Sequence, residues 1–338
     1  MDPTTQPVLD AHAHAVPEPL LTALAARGGI DGVTAHDTGS GWSVELPGAG
    51  PKPVRPPMYR ADRRAEYRSA TGIDGQLLSP WLDLQPTAAM PADAARSWAA
   101  RVNDALLTDN AATGGPGVLA TVALDDVEAA AKDLEAAVRD GCAGLVLSTD
   151  PVHCTSLADR RLDPLWTVAA GLGVPVQLHP ASTGPARTLP DSAEFGNAYC
   201  RLVDTTFGVA RLLLAGVLDR FPGLRLITVH GGGFLPYQAA RLDGAHRADA
   251  LSAHPIGRDR PSDYLRDLYY DTVALTPEAI RFLTDAVGHD RVLLGSDSPF
   301  PLGDPQPATT VRAAGLGPVA TDAVLGGNLG GLLTGSPS

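Results

Sequence analysis

Cysteine is scarce in this chain of 338 residues, and long apolar runs are missing. Cys142, Cys154 and Cys200 are odd in number and form no CxxC pair. That excludes a disulfide framework and a thiolate zinc site, and leaves free thiols in a reducing compartment. No stretch approaches the ~18 consecutive apolar residues of a membrane span. Met1 to Leu9 is polar and lacks the apolar segment of a secretion signal. The chain therefore reads as soluble and cytoplasmic. Positive charge is also short, with 26 Lys and Arg against 38 Asp and Glu and a net charge of −12. Such a chain repels phosphate backbones, which excludes nucleic acid as a partner. A small anionic substrate is not excluded, because local arginines can reverse the field inside a cleft. Aromatic residues are only 5% of the chain, so the core must be built mostly from Ala, Val and Leu. Hydrophobic residues at 44% and charged residues at 19% suffice for a large packed interior.

Short apolar runs alternate with longer helical patterns, which is how a parallel sheet with crossover helices is written. Eight strands are predicted: Val8–His12, Gly75–Ser79, Val118–Ala123, Gly144–Ser148, Val174–His179, Leu224–His230, Leu268–Val273 and Arg291–Ser296. Several are continuously apolar, as expected where both faces are covered. Eight such units predict one (β/α)₈ barrel over residues 1–338, a size this fold routinely reaches. Helices are predicted at Val127–Asp140, capped by Asp125 or Asp126, at Asp204–Arg220, and from Thr276-Pro277 to about Val287. Residues 28–60 break the alternation. They are rich in Gly and Pro with one strand-like run, Trp42–Leu46, and read as an insertion after the first strand, a small hairpin over the barrel mouth. The loop from Ala181 to Asn197 should border the same mouth, and the Gly-rich tail from Gly326 should pack loosely.

The chemistry concentrates at strand ends. Asp10-Ala11-His12-Ala13-His14 places two histidines on one side of a strand, so both imidazoles can reach one ion. His179 ends the fifth apolar run, His230 the sixth and Asp297 the eighth. In a barrel these tips share the C-terminal face, where active sites of this fold sit. Burying such groups without a partner is costly, which argues against coincidence. The other histidines, His36, His153, His246, His254 and His289, read as peripheral.

The DxHxH start, His179-Pro180, His230-Gly231-Gly232-Gly233 and Gly-Ser-Asp-Ser-Pro-Phe-Pro-Leu-Gly at 295–303 together resemble the amidohydrolase superfamily, and within it the aminocarboxymuconate semialdehyde decarboxylase-like branch. The resemblance runs from about Val8 to Leu333. It implies His12, His14, His179 and Asp297 as ligands of one ion, Zn²⁺ with Mn²⁺ as the other candidate. It also implies His230 as the acid/base residue, with Asp297 sharing that role. The fourth strand carries no lysine for carboxylation, which favours a single metal. The resemblance further implies substrate contacts from Arg55 and from Arg241, the latter across a homodimer interface, with Phe300 as a pocket wall. A solvated surface arginine is the competing reading for Arg55 and Arg241. Two positions depart from the branch's founding enzyme: Met58 replaces an arginine and Ala181 a tryptophan. The implied activity is nonoxidative decarboxylation of a small aromatic or unsaturated carboxylic acid. The alternative is a hydrolase or hydratase of an ester, lactone, amide or C–C bond using the same ion.

Overall fold

The computed structural model describes residues 6–248 and 256–335, so His254 lies outside it. In chain order its strands are β1 (Leu9–Ala15), β2 (Thr34–Asp37), β3 (Trp42–Glu45), β4 (Lys52–Val54), β5 (Gly75–Pro80), β6 (Gly117–Ala120), β7 (Gly144–Ser148), β8 (Pro175–His179), β9 (Arg225–Thr228), β10 (Tyr269–Asp271) and β11 (Val292–Leu293). β1 and β5–β11 form one sheet in sequence order, with every neighbouring pair parallel. Backbone hydrogen bonds from Ala11 N to Leu294 O and from Asp297 N to His12 O, both 2.8 Å, join the last strand to the first. The result is a (β/α)₈ barrel. All residues of β5, β6, β7 and β8 are buried, which is why those segments read as apolar without alternation.

Local chemistry sets the element ends. The Asp126 carboxylate accepts from Ala129 N at 3.0 Å and starts the helix Val127–Arg139. The Thr276 hydroxyl does the same for Ala279 N at 3.2 Å, ahead of Pro277 at the first helical position. The expected single helix over 204–220 is two, Arg201–Leu214 and Val217–Arg220, because Gly216 takes φ +64° between them.

Residues 28–60 contain three strands rather than one strand-like run. β2, β3 and β4 form an antiparallel sheet. Its buried Ala35, Val44 and Val54 pack with Leu20, Leu21 and Leu24 of the helix Glu18–Arg27. Among the described residues, no helix is long and apolar enough to cross a membrane.

The C-terminal tail is not loose. The helix Asn328–Thr334 buries Leu329 and Leu332 against Ala11, Leu77, Leu119 and Leu293 of the barrel interior. Buried Asn328 donates its side-chain amide to His289 O and Val292 O, each at 2.7 Å. Asn328→Ala should therefore leave two carbonyls short of a donor and destabilise the fold by about 1–3 kcal/mol. Denaturant unfolding of both proteins checks this, and an unchanged midpoint would show that the tail contributes nothing.

Candidate metal centre

The barrel places His12 and His14 on β1, His179 at the end of β8, and His230 and Asp297 just past β9 and β11. One ligand atom from each of His12, His179, His230 and Asp297 lies within 4.8 Å of all the others. His14 joins them, with its Nε2 3.1 Å from Nε2 of His12. Asp297 Oδ1 is 3.3 Å from Nε2 of both His12 and His14, but its geometry is a hydrogen bond with neither. Asp297 Oδ2 lies 3.7 Å from His230 Nε2.

Each of three imidazoles is anchored through Nδ1. His12 Nδ1 meets Asp271 Oδ2 at 2.6 Å, His14 Nδ1 meets Ser79 Oγ at 2.9 Å, and His179 Nδ1 meets Pro180 O at 3.0 Å. That engagement leaves every Nε2 for the common centre. Two atoms there, His179 Nε2 and Asp297 Oδ1, are buried with no hydrogen-bond partner among the described residues. Buried polar atoms are rarely left so, and three imidazole nitrogens with one carboxylate oxygen form a donor set for a divalent cation. The residues fit a metal ion.

Electrostatics point the same way. Burial lowers His14 and, with the neighbouring imidazoles, pushes His179 well below its usual range, so both stay neutral and ready to ligate. Burial also opposes the charged form of His12. The carboxylates of Asp297 and Asp271 outweigh it and raise that group to about 9 in the protein alone. Burial alone would raise Asp297; the charge on His12, with His14 and His230 beside it, holds it well below the usual carboxylate range.

The backbone is shaped for this convergence. Three residue steps of β1, from Asp10 to Ala13, oppose two of β5, from Gln76 to Leu78. A bulge of this kind re-aims side chains next to a site. His230 and Asp297 both sit at positive φ, +56° and +57°. Gly295 has no room for a side chain: a Cβ there would meet that of Asp271 at 2.8 Å and that of His12 at 3.2 Å.

Above the cluster opens a cavity of about 890 Å³. Trp81, His179, Arg201, His230, Asp297 and Phe300 line its inner part, and Tyr237, Phe282 and Leu302 its outer part. The Phe300 ring lies 5.2 Å from that of His14. Arg55 and Arg241 are exposed and do not line this cavity, and no residue of 28–60 does. Lys52 of β4 reaches its edge, with Nζ 3.8 Å from Asp83. Met58 is buried among the aliphatic residues around β1 rather than in the cavity. The loop 181–197 contributes Asn197. Gly232 and Gly233 approach the Tyr270 ring and Leu202 O, where a Cβ would lie within 2.7 Å and 2.5 Å. Their smallness thus serves packing against β10 and the helix Arg201–Leu214.

Two residues of this site escaped the sequence reading. Asp271 binds His12 through one oxygen, and through the other accepts from Gly231 N at 2.9 Å and Val273 N at 3.1 Å. A signal existed, since Asp271 is the one charged residue inside the seventh predicted strand, Leu268–Val273, and ends the observed β10. Arg201 had none, because it lies 22 positions beyond His179, at the start of a helix and outside any strand.

Residues 9–328 match the family model described as amidohydrolase. The chain is 24% identical over 201 residues to the 2-amino-3-carboxymuconate-6-semialdehyde decarboxylase of Dictyostelium discoideum, covering 58% of this chain and 54% of that protein. It thus spans about half the length of that relative. It is 29% identical over 262 residues to a gamma-resorcylate decarboxylase of a Polaromonas species, covering 71% and 77%. The fold superposes with a TM-score of 0.78 on 5-carboxyvanillate decarboxylase from Novosphingobium aromaticivorans, at 19% identity over 97% of this chain and 96% of the other. That structure holds manganese and 4-hydroxy-3-methoxy-5-nitrobenzoic acid.

Asp271→Asn should weaken metal binding about 10–100-fold, the usual effect of removing the carboxylate behind a ligating histidine. Competition against a chelator measures it, and undiminished affinity would mean that Asp271 does not set the orientation of His12.

Proposed function

We propose, since this chain belongs to the amidohydrolase family, that it is a metal-dependent, nonoxidative decarboxylase of a small aromatic or unsaturated carboxylic acid. The observation that carries this reading is the convergence of His12, His14, His179, His230 and Asp297 at the floor of the cavity. The decarboxylases among its relatives support it over a hydrolase or hydratase on the same ion.

His12, His14, His179 and Asp297 would hold one divalent ion. Their donor set suits zinc or manganese, and the manganese in the Novosphingobium structure supports the latter. When bound, the ion supplies orientation of a substrate oxygen and stabilisation of the negative charge that develops there. His230 moves the proton at its Nε2, on the cavity side of the cluster and within reach of Asp297 Oδ2. The ring carbon that carries the carboxylate accepts that proton with a π pair. The bond to the carboxylate then breaks, its electron pair returns to the ring, and CO₂ departs. His230 regains a proton from solvent through the open mouth. Trp81 and Phe300 supply flat apolar walls suited to an unsaturated substrate.

The protein acts as a cytoplasmic homodimer in this reading. Exposed Tyr199, Phe207, Tyr237 and Phe282 support a partner surface near the mouth, and exposed Arg241 and Arg55 would serve substrate only across such an interface.

Metal-reconstituted protein should release CO₂ from at least one member of a panel of hydroxy- and aminoaryl acids. Product formation that consumes water without CO₂ would transfer the reading to hydrolysis or hydration. His230→Asn should keep its metal and lose about 10²–10⁴-fold in turnover, whereas His179→Ala should lose the metal itself. Equal metal loss in both would overturn the division of roles.

A further inference from the structure

Among the described residues, Arg201 carries the one permanently positive side chain on the cavity wall; the other charged residues lining it, histidines aside, are Asp83, Glu278 and Asp297. Its guanidinium is held on one side by neutral acceptors. Nη1 donates to Pro180 O at 2.7 Å and Nε to Asn197 Oδ1 at 3.3 Å. Pro180 O is the same carbonyl that receives Nδ1 of His179 at 3.0 Å. A single carbonyl therefore sets the positions of a metal-centre imidazole and of the guanidinium together.

What Arg201 lacks is an anion. Among the described residues, no carboxylate lies within 4.0 Å of it, and Nη2 donates to no acceptor. Of the cavity carboxylates, Asp83 is already engaged by Ser182 Oγ and faces Lys52, and Asp297 belongs to the histidine cluster. Glu278 is exposed at the start of the helix Pro277–Val287. A half-buried guanidinium left without a counter-charge is costly. Its planar fork fits a carboxylate, which it can bind bidentately.

We infer that Arg201, from the same chain as the metal centre, binds the carboxylate of the substrate and so makes this cavity selective for organic acids. The inference rests on the decarboxylase reading for its choice of anion. It differs from that reading in assigning the anchor to the segment after β8 rather than to Arg55 or Arg241.

The test measures binding by calorimetry to the metal-loaded protein. The probes are paired: benzoate, 2,6-dihydroxybenzoate and 4-hydroxybenzoate, each against its carboxamide. The wild type should prefer acid over amide, and Arg201→Gln should reduce that preference by about 10–100-fold while amide affinity and metal content hold. Arg201→Lys keeps a donor for Pro180 O and should lose several-fold of the preference, which covers the case in which the Gln variant fails to fold. The inference is overturned if the wild type binds no acid or shows no preference, if Arg201→Gln retains it, if acid and amide weaken equally, or if Arg241→Gln removes it instead. CO₂ release separates the two readings. Undiminished turnover in Arg201→Gln would sink the assignment of Arg201 and spare the decarboxylase. A lost acid preference in a protein that never releases CO₂ would do the reverse.

Discussion

Three imidazoles and a carboxylate share one buried volume, with nitrogen lone pairs and a carboxylate oxygen turned toward the same point. Without a cation the arrangement is in conflict. His12 is driven to hold a proton by Asp297 and Asp271, His14 and His179 are driven to lose theirs, and His179 Nε2 and Asp297 Oδ1 satisfy nothing. A divalent ion held by these residues would remove the conflict, taking the place of the proton on His12 and giving the orphaned atoms a partner. The rest of the barrel's C-terminal face follows from holding that convergence. Asp271 ties His12 to the turn after β9 through Gly231 N, so two strand tips share one carboxylate. Gly295 lets β11 come close enough for Asp297 to reach the same point.

Backbone strain is concentrated at the same place. His230 and Asp297 each adopt a left-handed φ that costs a non-glycine residue of order 1–3 kcal/mol. Both positions are braced, Asp297 by its N–H on His12 O and the His230 turn by the Asp271 carboxylate on Gly231 N. Both lie past the end of a strand, and at both the side chain joins the same cluster. The strain is thus the local cost of bringing two strand ends to one centre.

The fold was legible because both-sided burial writes each barrel strand as an apolar run, and because a polar residue closing such a run is conspicuous. Leu226-Ile227-Thr228-Val229-His230 and Val292-Leu293-Leu294-Gly295-Ser296-Asp297 carry both signals. Asp271 lies inside the seventh predicted strand but was hidden, because one carboxylate among 38 acidic residues has no spacing partner; its role exists only once β1 and β10 meet across the barrel. The tail misled for a different reason. Its glycines suggested looseness, but Leu329 and Leu332 are spaced one helical turn apart and the open end of the barrel gave them an apolar surface to cover. Residues 28–60 were legible as an interruption and not as a sheet, since strands of three and four residues carry too little alternation to be read singly.

Arg201 shows why substrate recognition is the least legible layer. The metal-centre side chains sit on or beside strands, whose positions are set by the barrel and recoverable from periodicity. The cavity wall comes instead from the segments that follow the strands, here the stretch after β8 and the start of the helix Arg201–Leu214, with the helices Leu235–Arg247 and Pro277–Val287. Their path depends on contacts such as Arg201 to Pro180 O and Asp204 Oδ1 to Ala186 N, each of which needs the folded chain in order to exist. The division has a chemical consequence. In the proposed reading, the groups placed for bond breaking rest on rigid strand tips, while Arg201 rests at the start of a helix outside the sheet, where it can be exchanged without disturbing the barrel. A fold organised this way keeps its reaction while its substrate drifts. In the proposed reading the floor of this cavity sets the chemistry, and the guanidinium on its wall sets the molecule on which it acts.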